Sequence, residues 1–114
     1  TCHAFMDKAI LESGVNLIDT AEQYPIPSDQ FRTEGYTERI IGSWLKQDNA
    51  RRSKVVIASK ITGSDNVNRR SIVEDCEASL KRLDVDRIDL FFMHRWDDDT
   101  PVEETLRALE DLRA

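Results

Sequence analysis

The feature that most constrains this chain is the alternation of short apolar runs with longer segments of helical periodicity. Three runs rich in branched and aromatic residues end at Asp19, Lys60 and His94, and four segments with helical spacing surround them. The predicted order is therefore α-β-α-β-α-β-α. Strands that are apolar along most of their length and separated by helices predict an α/β fold with a parallel sheet covered by helices.

Residue types at the segment ends set the predicted boundaries. The first helix covers residues 2–13, Thr37 is predicted to cap the second, and the third follows Asn68. Thr100 and Pro101 open the last helix as an N-cap and a proline at the first helical position. The predicted strands are residues 15–18, 54–59 and 88–93. The predicted apolar face of the first helix is Cys2, Phe5, Met6, Ala9 and Ile10, and that of the last is Val102, Leu106, Leu109 and Leu112.

Two architectures satisfy this order: a (β/α)8 barrel and a doubly wound sheet. The doubly wound dinucleotide fold carries a GxGxxG pattern after its first strand, and none of the four glycines forms that pattern. The strand ends are 41 and 34 residues apart, and each spacing is sufficient for one βα unit. The barrel is therefore favoured.

The chain is short for such a barrel. It has 114 residues, whereas a closed (β/α)8 barrel usually takes about 250. We therefore expect residues 1–114 to form a single partial domain, a truncated stretch of a barrel. Three parallel strands leave two edges with unpaired backbone groups, so self-association through these open edges is a further expectation.

Composition excludes several classes of function. A hydrophobic fraction of 39% and a charged fraction of 33% are typical of a soluble globular protein. The net charge of −6 repels phosphate backbones, so no nucleic-acid partner is expected. No apolar run approaches the roughly 20 residues of a membrane helix, and no cationic leader followed by an apolar segment is found, so secretion is not expected. We expect a cytoplasmic protein without a membrane partner, with Cys2 and Cys76 reduced.

Chemically informative residues lie where the predicted strands end. These are Asp19, Tyr24 in the loop that follows it, Lys60 and His94. Each has a structural explanation when taken singly: a turn acceptor, a packed loop tyrosine, a solvated strand end and a satisfied buried histidine. Barrel active sites form at the carboxyl ends of the strands, so the four together are predicted to converge on one small volume.

Such a convergence predicts proton transfer to an oxygen that gains negative charge. A lysine ammonium within about 4–6 Å favours the phenolate form of a tyrosine, and a carboxylate beside the lysine keeps the ammonium charged and in place. A histidine orients a carbonyl oxygen. Carbonyl reduction needs this arrangement, with Tyr24 as the general acid. The four residues supply no hydride, so a nicotinamide cofactor would have to.

The sequence also resembles a known family. GVNLIDTAEQYP (residues 14–25), VVIASKITG (residues 55–63) and SLKRLDVDRIDLFFMH (residues 79–94) resemble the aldo-keto reductases. The extended YPIPSDQFRTEGYTERIIGSWL (residues 24–45) resembles their bacterial Tas-like branch. The resemblance covers nearly the whole chain.

This resemblance implies a TIM-barrel oxidoreductase that uses NADP(H) to reduce small aldehydes and ketones to alcohols. It implies that Asp19, Tyr24, Lys60 and His94 are the catalytic tetrad, with Asp19 and Tyr24 also contacting the cofactor. It further implies that residues 1–114 are the N-terminal half of the barrel, without its first strand and its C-terminal half, where most of the cofactor is held.

Two other functions stay open at this point. Some relatives in this family are cofactor-sensing regulatory subunits that dock on a membrane channel, and a truncated half barrel can also be inert. Trp96, just beyond His94, is a candidate for the substrate pocket, although rim packing explains it equally well. Asp97, Asp98 and Asp99 precede a helix and are interpreted as solvated charges, so no metal site is predicted. The sequence does not identify the substrate.

Overall fold

The computed structural model describes residues 2–27, 30, 33–61, 69–94 and 98–113. The predicted α-β-α-β-α-β-α order is confirmed. The elements are α1 (Cys2–Met6, continued by a π-helical segment, Asp7–Glu12), β1 (Leu17–Asp19), α2 (Tyr36–Lys46), a 3-10 turn (Arg52–Lys54), β2 (Val56–Ile61), α3 (Arg69–Leu83), β3 (Leu90–Met93) and α4 (Val102–Arg113). Within these described residues, no helix is long and apolar enough to cross a membrane.

The three strands form one parallel sheet in the order β1-β2-β3. The register pairs Asp19 with Ala58 and Lys60 with Phe92. Because consecutive strands are neighbours and run in one direction, their carboxyl ends meet at the same edge of the sheet. The predicted parallel sheet is therefore confirmed, and its carboxyl edge carries the residues singled out from the sequence.

The sheet packs on helices through one face only. Ile57 and Ile61 are fully buried against the helices, while Leu17, Leu90 and Phe92 point to the opposite face, and each is about half exposed. Side chains alternate between the two faces of a strand, so this division follows the strand period. A doubly wound sheet carries helices on both faces, whereas the described helices cover one, as in a partial barrel.

In the part of the chain that the structure describes, two apolar clusters form the core between the sheet and the helices. The first contains Ile41, Trp44, Leu45, Val55, Ile57 and Leu83, and the second contains Ile61, Ile72 and Ala108. Full burial of such a side chain stabilises a fold by about 1.5–3 kcal/mol. The clusters therefore hold the helix layer against β2, which is the central strand of the sheet.

Several predicted boundaries are wrong: the strands predicted at residues 15–18, 54–59 and 88–93 are Leu17–Asp19, Val56–Ile61 and Leu90–Met93 in the structure. Thr37 lies inside α2, because the helix begins at Tyr36 and is preceded by Gly35 in a left-handed conformation with φ +85°. A side chain at Gly35 would have its Cβ 2.6 Å from Cδ of Arg82, so close approach of the two elements favours glycine there. Lys60 lies within β2, because the pairing continues for one more residue.

In the first and last helices, only some residues of the predicted apolar face pack against the core. Met6 and Ile10 pack against the core, but Phe5 is 76% exposed. In α4, Ala108 is buried and Leu109 packs beside it, whereas Leu106 is exposed.

Candidate functional site

Backbone hydrogen bonds position the candidate residues at the carboxyl edge of the sheet. Asp19 is the last residue of β1, Lys60 is near the end of β2, and His94 directly follows β3. The N–H of Glu22 donates to the Lys60 carbonyl at 2.9 Å, and the N–H of His94 donates to the Ile61 carbonyl at 2.8 Å. The strand ends are thus tied to one another beyond the regular ladder.

Lys60 and Asp19 form the shortest contact of the site. The Lys60 ammonium donates to Oδ1 of Asp19 at 2.6 Å and to the Thr20 backbone carbonyl at 2.8 Å. The Lys60 side chain is only 15% exposed, whereas that of Asp19 is 63% exposed. Two acceptors therefore hold the ammonium in a half-enclosed place, and the carboxylate that neutralises it stays open to solvent on its other side.

Tyr24 lies beside this ion pair. The Lys60 ammonium is 5.4 Å from the centre of the Tyr24 ring. The N–H of Tyr24 donates to the Ala21 carbonyl at 3.3 Å, and its carbonyl accepts from the N–H of Thr37 at 3.4 Å. The loop after β1 is therefore folded back by its own turn and anchored to the first turn of α2.

His94 completes the group from the third strand. Its ring meets the Tyr24 ring edge to face, with centroids 5.9 Å apart and planes at 83°. Its Nδ1 atom is buried and has no hydrogen-bond partner in the described part of the chain. The His94 imidazole and the Tyr24 phenol thus lie side by side in one polar site, and the Lys60 ammonium lies between β1 and the phenol.

The structure places all four residues predicted from the strand ends together: Asp19 with Lys60, Lys60 with Tyr24, and Tyr24 with His94. These contacts place a carboxylate, an ammonium, a phenol and an imidazole next to one another in that order. Such an arrangement can hold and move a proton. Trp96, the candidate for the substrate pocket, lies outside the described residues.

A groove of about 1010 Å³ lies elsewhere, along β3 and α4. Its lining is mixed, with apolar residues such as Leu90 and Leu109 beside charged ones such as Asp86 and Arg113. None of the four residues predicted from the strand ends lines this groove, so the groove and the candidate site are separate features.

A buried ionic network behind the sheet was not predicted from the sequence. Glu38 of α2 is fully buried and accepts hydrogen bonds from Oγ of Ser59 at 3.0 Å, Oγ of Ser79 at 3.2 Å and Nε of Arg82 at 2.8 Å. Buried carboxylates are stable only when paired and hydrogen-bonded. The network therefore joins α2, β2 and α3 at one point.

A sequence signal for this network exists. Glu38, Ile41 and Leu45 are spaced three and seven residues apart, which places the acidic residue on the apolar face of α2. Ser79 and Arg82 extend the buried face of α3 in the same way. An acidic and a basic residue on the apolar faces of two packed helices indicate a buried ion pair, because an unpaired charge there is strongly unfavourable.

The neighbouring residues Asp75 and Cys76 of α3 both have a raised pKa. Burial raises the pKa of the Asp75 carboxyl, and the negative charge of Glu22 raises it further, although Arg82 opposes the shift. Burial also raises the pKa of the Cys76 thiol. Both cysteines are free thiols, and a raised pKa makes Cys76 a poor nucleophile. Cys76 is one of the buried residues of α3.

Comparison with known proteins gives a consistent result. The family model described as "Aldo/keto reductase family" matches residues 2–114. The chain is 39% identical over 104 residues to a "Probable voltage-gated potassium channel subunit beta" of Arabidopsis thaliana, covering 86% of this chain and 29% of that protein. It is 35% identical over 135 aligned positions to "Protein tas" of Escherichia coli (strain K12), covering 96% of this chain and 38% of that protein.

A similar match is found in rice. A "Probable voltage-gated potassium channel subunit beta" of Oryza sativa subsp. japonica is 38% identical over 108 residues, covering 90% of this chain and 30% of that protein. The chain thus spans about a third of the length of the curated relatives it matches.

Proposed function

The chain belongs to the aldo/keto reductase family, and on that premise we propose that it carries the catalytic residues of an NADP(H)-dependent oxidoreductase that reduces small aldehydes and ketones to alcohols. The observation that carries the proposal is the position of the Lys60 ammonium, 2.6 Å from the Asp19 carboxylate and 5.4 Å from the centre of the Tyr24 ring. Two free thiols support the further proposal of a reducing, cytoplasmic setting.

In this proposal Tyr24 is the general acid. Its hydroxyl donates a proton to the carbonyl oxygen as negative charge develops there. Lys60 stabilises the charge that the phenol oxygen acquires, and Asp19 keeps the ammonium in position. His94, edge to face with Tyr24 at 5.9 Å, donates a hydrogen bond that orients the carbonyl oxygen between the two rings.

NADP(H), when bound, supplies the hydride that these side chains lack. The open side of the site fits the nicotinamide end of such a cofactor, because the Asp19 side chain is 63% exposed although Lys60 binds one of its oxygens. Tyr24 is also partly exposed. We assign Asp19 and Tyr24 to this contact, and we assign no described residue to the cofactor phosphates.

The test is Tyr24→Phe in the full-length protein, which removes the hydroxyl and keeps the ring. We expect kcat for carbonyl reduction to fall by about 10²–10⁴-fold, the usual range for loss of a general acid. NADPH binding, followed by fluorescence titration, should be retained. Tyr36→Phe on the exposed side of α2 is the matched control and should keep full activity. Turnover near the normal rate in Tyr24→Phe would refute the role.

A second candidate function is a cofactor-sensing regulatory subunit. The observation that favours it is the 39% identity to a protein named as a probable potassium channel subunit beta. In that case the same four side chains would bind a cofactor without rapid turnover. A panel of aldehydes and ketones, with consumption of NADPH as the readout, separates the two: turnover of any carbonyl supports the enzyme, and tight NADPH binding without turnover supports the regulator.

A further inference from the structure

Ser59 and Lys60 are neighbours on β2 whose side chains point to opposite faces of the sheet. Lys60 reaches Asp19 on the open face, while Ser59 is fully buried on the helix side. The Ser59 hydroxyl donates to Oε2 of Glu38 at 3.0 Å. The C-terminal part of β2, which carries Lys60, is therefore bound on the helix side of the sheet by the Glu38 carboxylate of α2.

The same carboxylate is one residue from the anchor of Tyr24. The N–H of Thr37 donates to the Tyr24 carbonyl at 3.4 Å, and Thr37 precedes Glu38 in the first turn of α2. Glu38 is therefore linked to both residues. Its neighbour Thr37 binds the Tyr24 carbonyl, and its carboxylate binds Ser59, the neighbour of Lys60.

The position of Glu38 is itself tightly defined. Arg82 donates to its Oε1 from Nε at 2.8 Å, and Ser79 donates to the same oxygen at 3.2 Å. Gly42, one turn further along α2, lets the helix lie directly on the end of α3, because a Cβ there would be 2.5 Å from the Arg82 carbonyl oxygen. Helix contact and charge pairing thus restrict the movement of the carboxylate.

We propose that Glu38 is a positioning residue for the catalytic pair, which sets the separation of Lys60 and Tyr24 through Ser59 and Thr37. The inference rests on the proposed function, since it concerns the geometry of the same proton donor. A misplacement of about 1 Å in such a pair lowers a rate by about 100-fold, so a hydrogen bond behind the strand affects the chemistry without touching the substrate.

The experiment compares two serines that donate to the same carboxylate. Ser59→Ala removes the hydroxyl on the strand of Lys60, and Ser79→Ala removes the one on α3. Both side chains are fully buried, and Ser79 also accepts a hydrogen bond from Arg82 at 3.0 Å, so Ser79→Ala should destabilise the protein at least as much as Ser59→Ala. These variants are milder than Glu38→Gln, which leaves Arg82 without its anion and can prevent folding. All measurements are made on the full-length protein.

Two readouts distinguish positioning from a structural role. In Ser59→Ala we expect kcat to fall about tenfold with KM unchanged. In Ser79→Ala we expect kcat to stay within about twofold, because Arg82 still binds Oε1 of Glu38 at 2.8 Å. The second readout needs no substrate: the NMR signal of ¹³C-labelled Tyr24, assigned by its loss in Tyr24→Phe, should shift in Ser59→Ala and stay in place in Ser79→Ala.

The outcomes are unambiguous. Equal kcat values and equal Tyr24 signals in the two variants, whatever the change in melting temperature, overturn the positioning role. If Tyr24→Phe keeps full activity while the Tyr24 signal still moves in Ser59→Ala alone, the positioning stands and the proposed general acid fails. The two hypotheses are therefore tested separately.

Discussion

The ammonium of Lys60 lies 2.6 Å from the carboxylate of Asp19, although 41 positions separate the two residues. Parallel pairing of β1 and β2 brings them together, because it places Asp19 beside Ala58, two residues before Lys60 on the same face. The Thr20 carbonyl accepts a second hydrogen bond from the same ammonium. The ion pair is therefore a consequence of sheet register.

Replacement of Lys60 should affect rate far more than stability. Lys60→Met removes the charge beside Tyr24 and keeps most of the side-chain length, so we expect kcat for carbonyl reduction to fall by about 10²–10³-fold. Lys46→Met, at the exposed end of α2, is the control and should be fully active. Steady-state kinetics with NADPH check this, and equal activity of the two variants would contradict the proposed role.

Replacement of Glu38 should strongly destabilise the fold. Glu38→Gln leaves the Arg82 guanidinium without its anion in a buried place, and removal of one partner of a buried pair costs about 3–5 kcal/mol. Glu34→Gln, an exposed carboxylate just before α2, should change the free energy of unfolding by less than about 0.5 kcal/mol. Urea unfolding followed by circular dichroism measures both, and a Glu38→Gln protein as stable as the control contradicts the network.

Gly42→Ala should destabilise the protein, against the usual preference of helices for alanine. The added Cβ would be 2.5 Å from the Arg82 carbonyl oxygen and 2.8 Å from that of Leu83. These are backbone atoms, so α2 and α3 must separate, at a cost of about 1–3 kcal/mol. Arg39→Ala on the exposed side of the same helix should be close to neutral. An unchanged or raised melting temperature in Gly42→Ala would show that the helices are not in such close contact.

Asp89 should make stability depend on acid pH. Burial alone would raise the pKa of its carboxyl, but the hydrogen bonds from the Ile57 N–H and from Arg52, with the positive charges of Arg52 and Arg87, lower it below 3.8. Its folded pKa is thus below the unfolded one, so its stabilisation is present in full above the unfolded pKa. That stabilisation is lost as the pH falls through the folded pKa.

The corresponding experiment compares Asp89→Ala with the unchanged protein. At pH 7 we expect the variant to be less stable by about 1–3 kcal/mol, the value of a hydrogen bond to a charged group. The difference should shrink as the pH falls below the usual carboxyl pKa. Thermal unfolding between neutral and acid pH measures it, with the exposed Asp86→Asn as the control. A difference that stays constant down to acid pH would exclude the ionised carboxylate as its source.

The candidate site was predictable because its residues stand where apolar runs stop. Asp19, Lys60 and His94 each mark the end of a run, and parallel strands must bring such ends to one edge. The position of Tyr24 did not follow from strand-end spacing alone, because it lies in a loop. Its place beside Lys60 depends on a local turn closed with Ala21 and on a tertiary hydrogen bond from Thr37.

Other features could not be predicted from the sequence pattern. Thr37 has the residue type of an N-cap, yet α2 begins one residue earlier, after Gly35 with φ +85°. The sequence pattern assigns Phe5 to the same apolar face as Met6 and Ile10, yet it is exposed while those two pack against the core. In both cases the tertiary arrangement overrides the preference of the single residue.

The amino-acid order alone determined the element types, the parallel sheet and which strand-end residues come together, because hydrophobic period and strand-end position are local properties of the chain. Only the tertiary structure decided that Glu38 is buried with Arg82, that Ser59 is joined to it, and that one face of the sheet is covered by the described helices. These contacts depend on which helices and strands pack together, and that packing is decided by residues far apart in sequence.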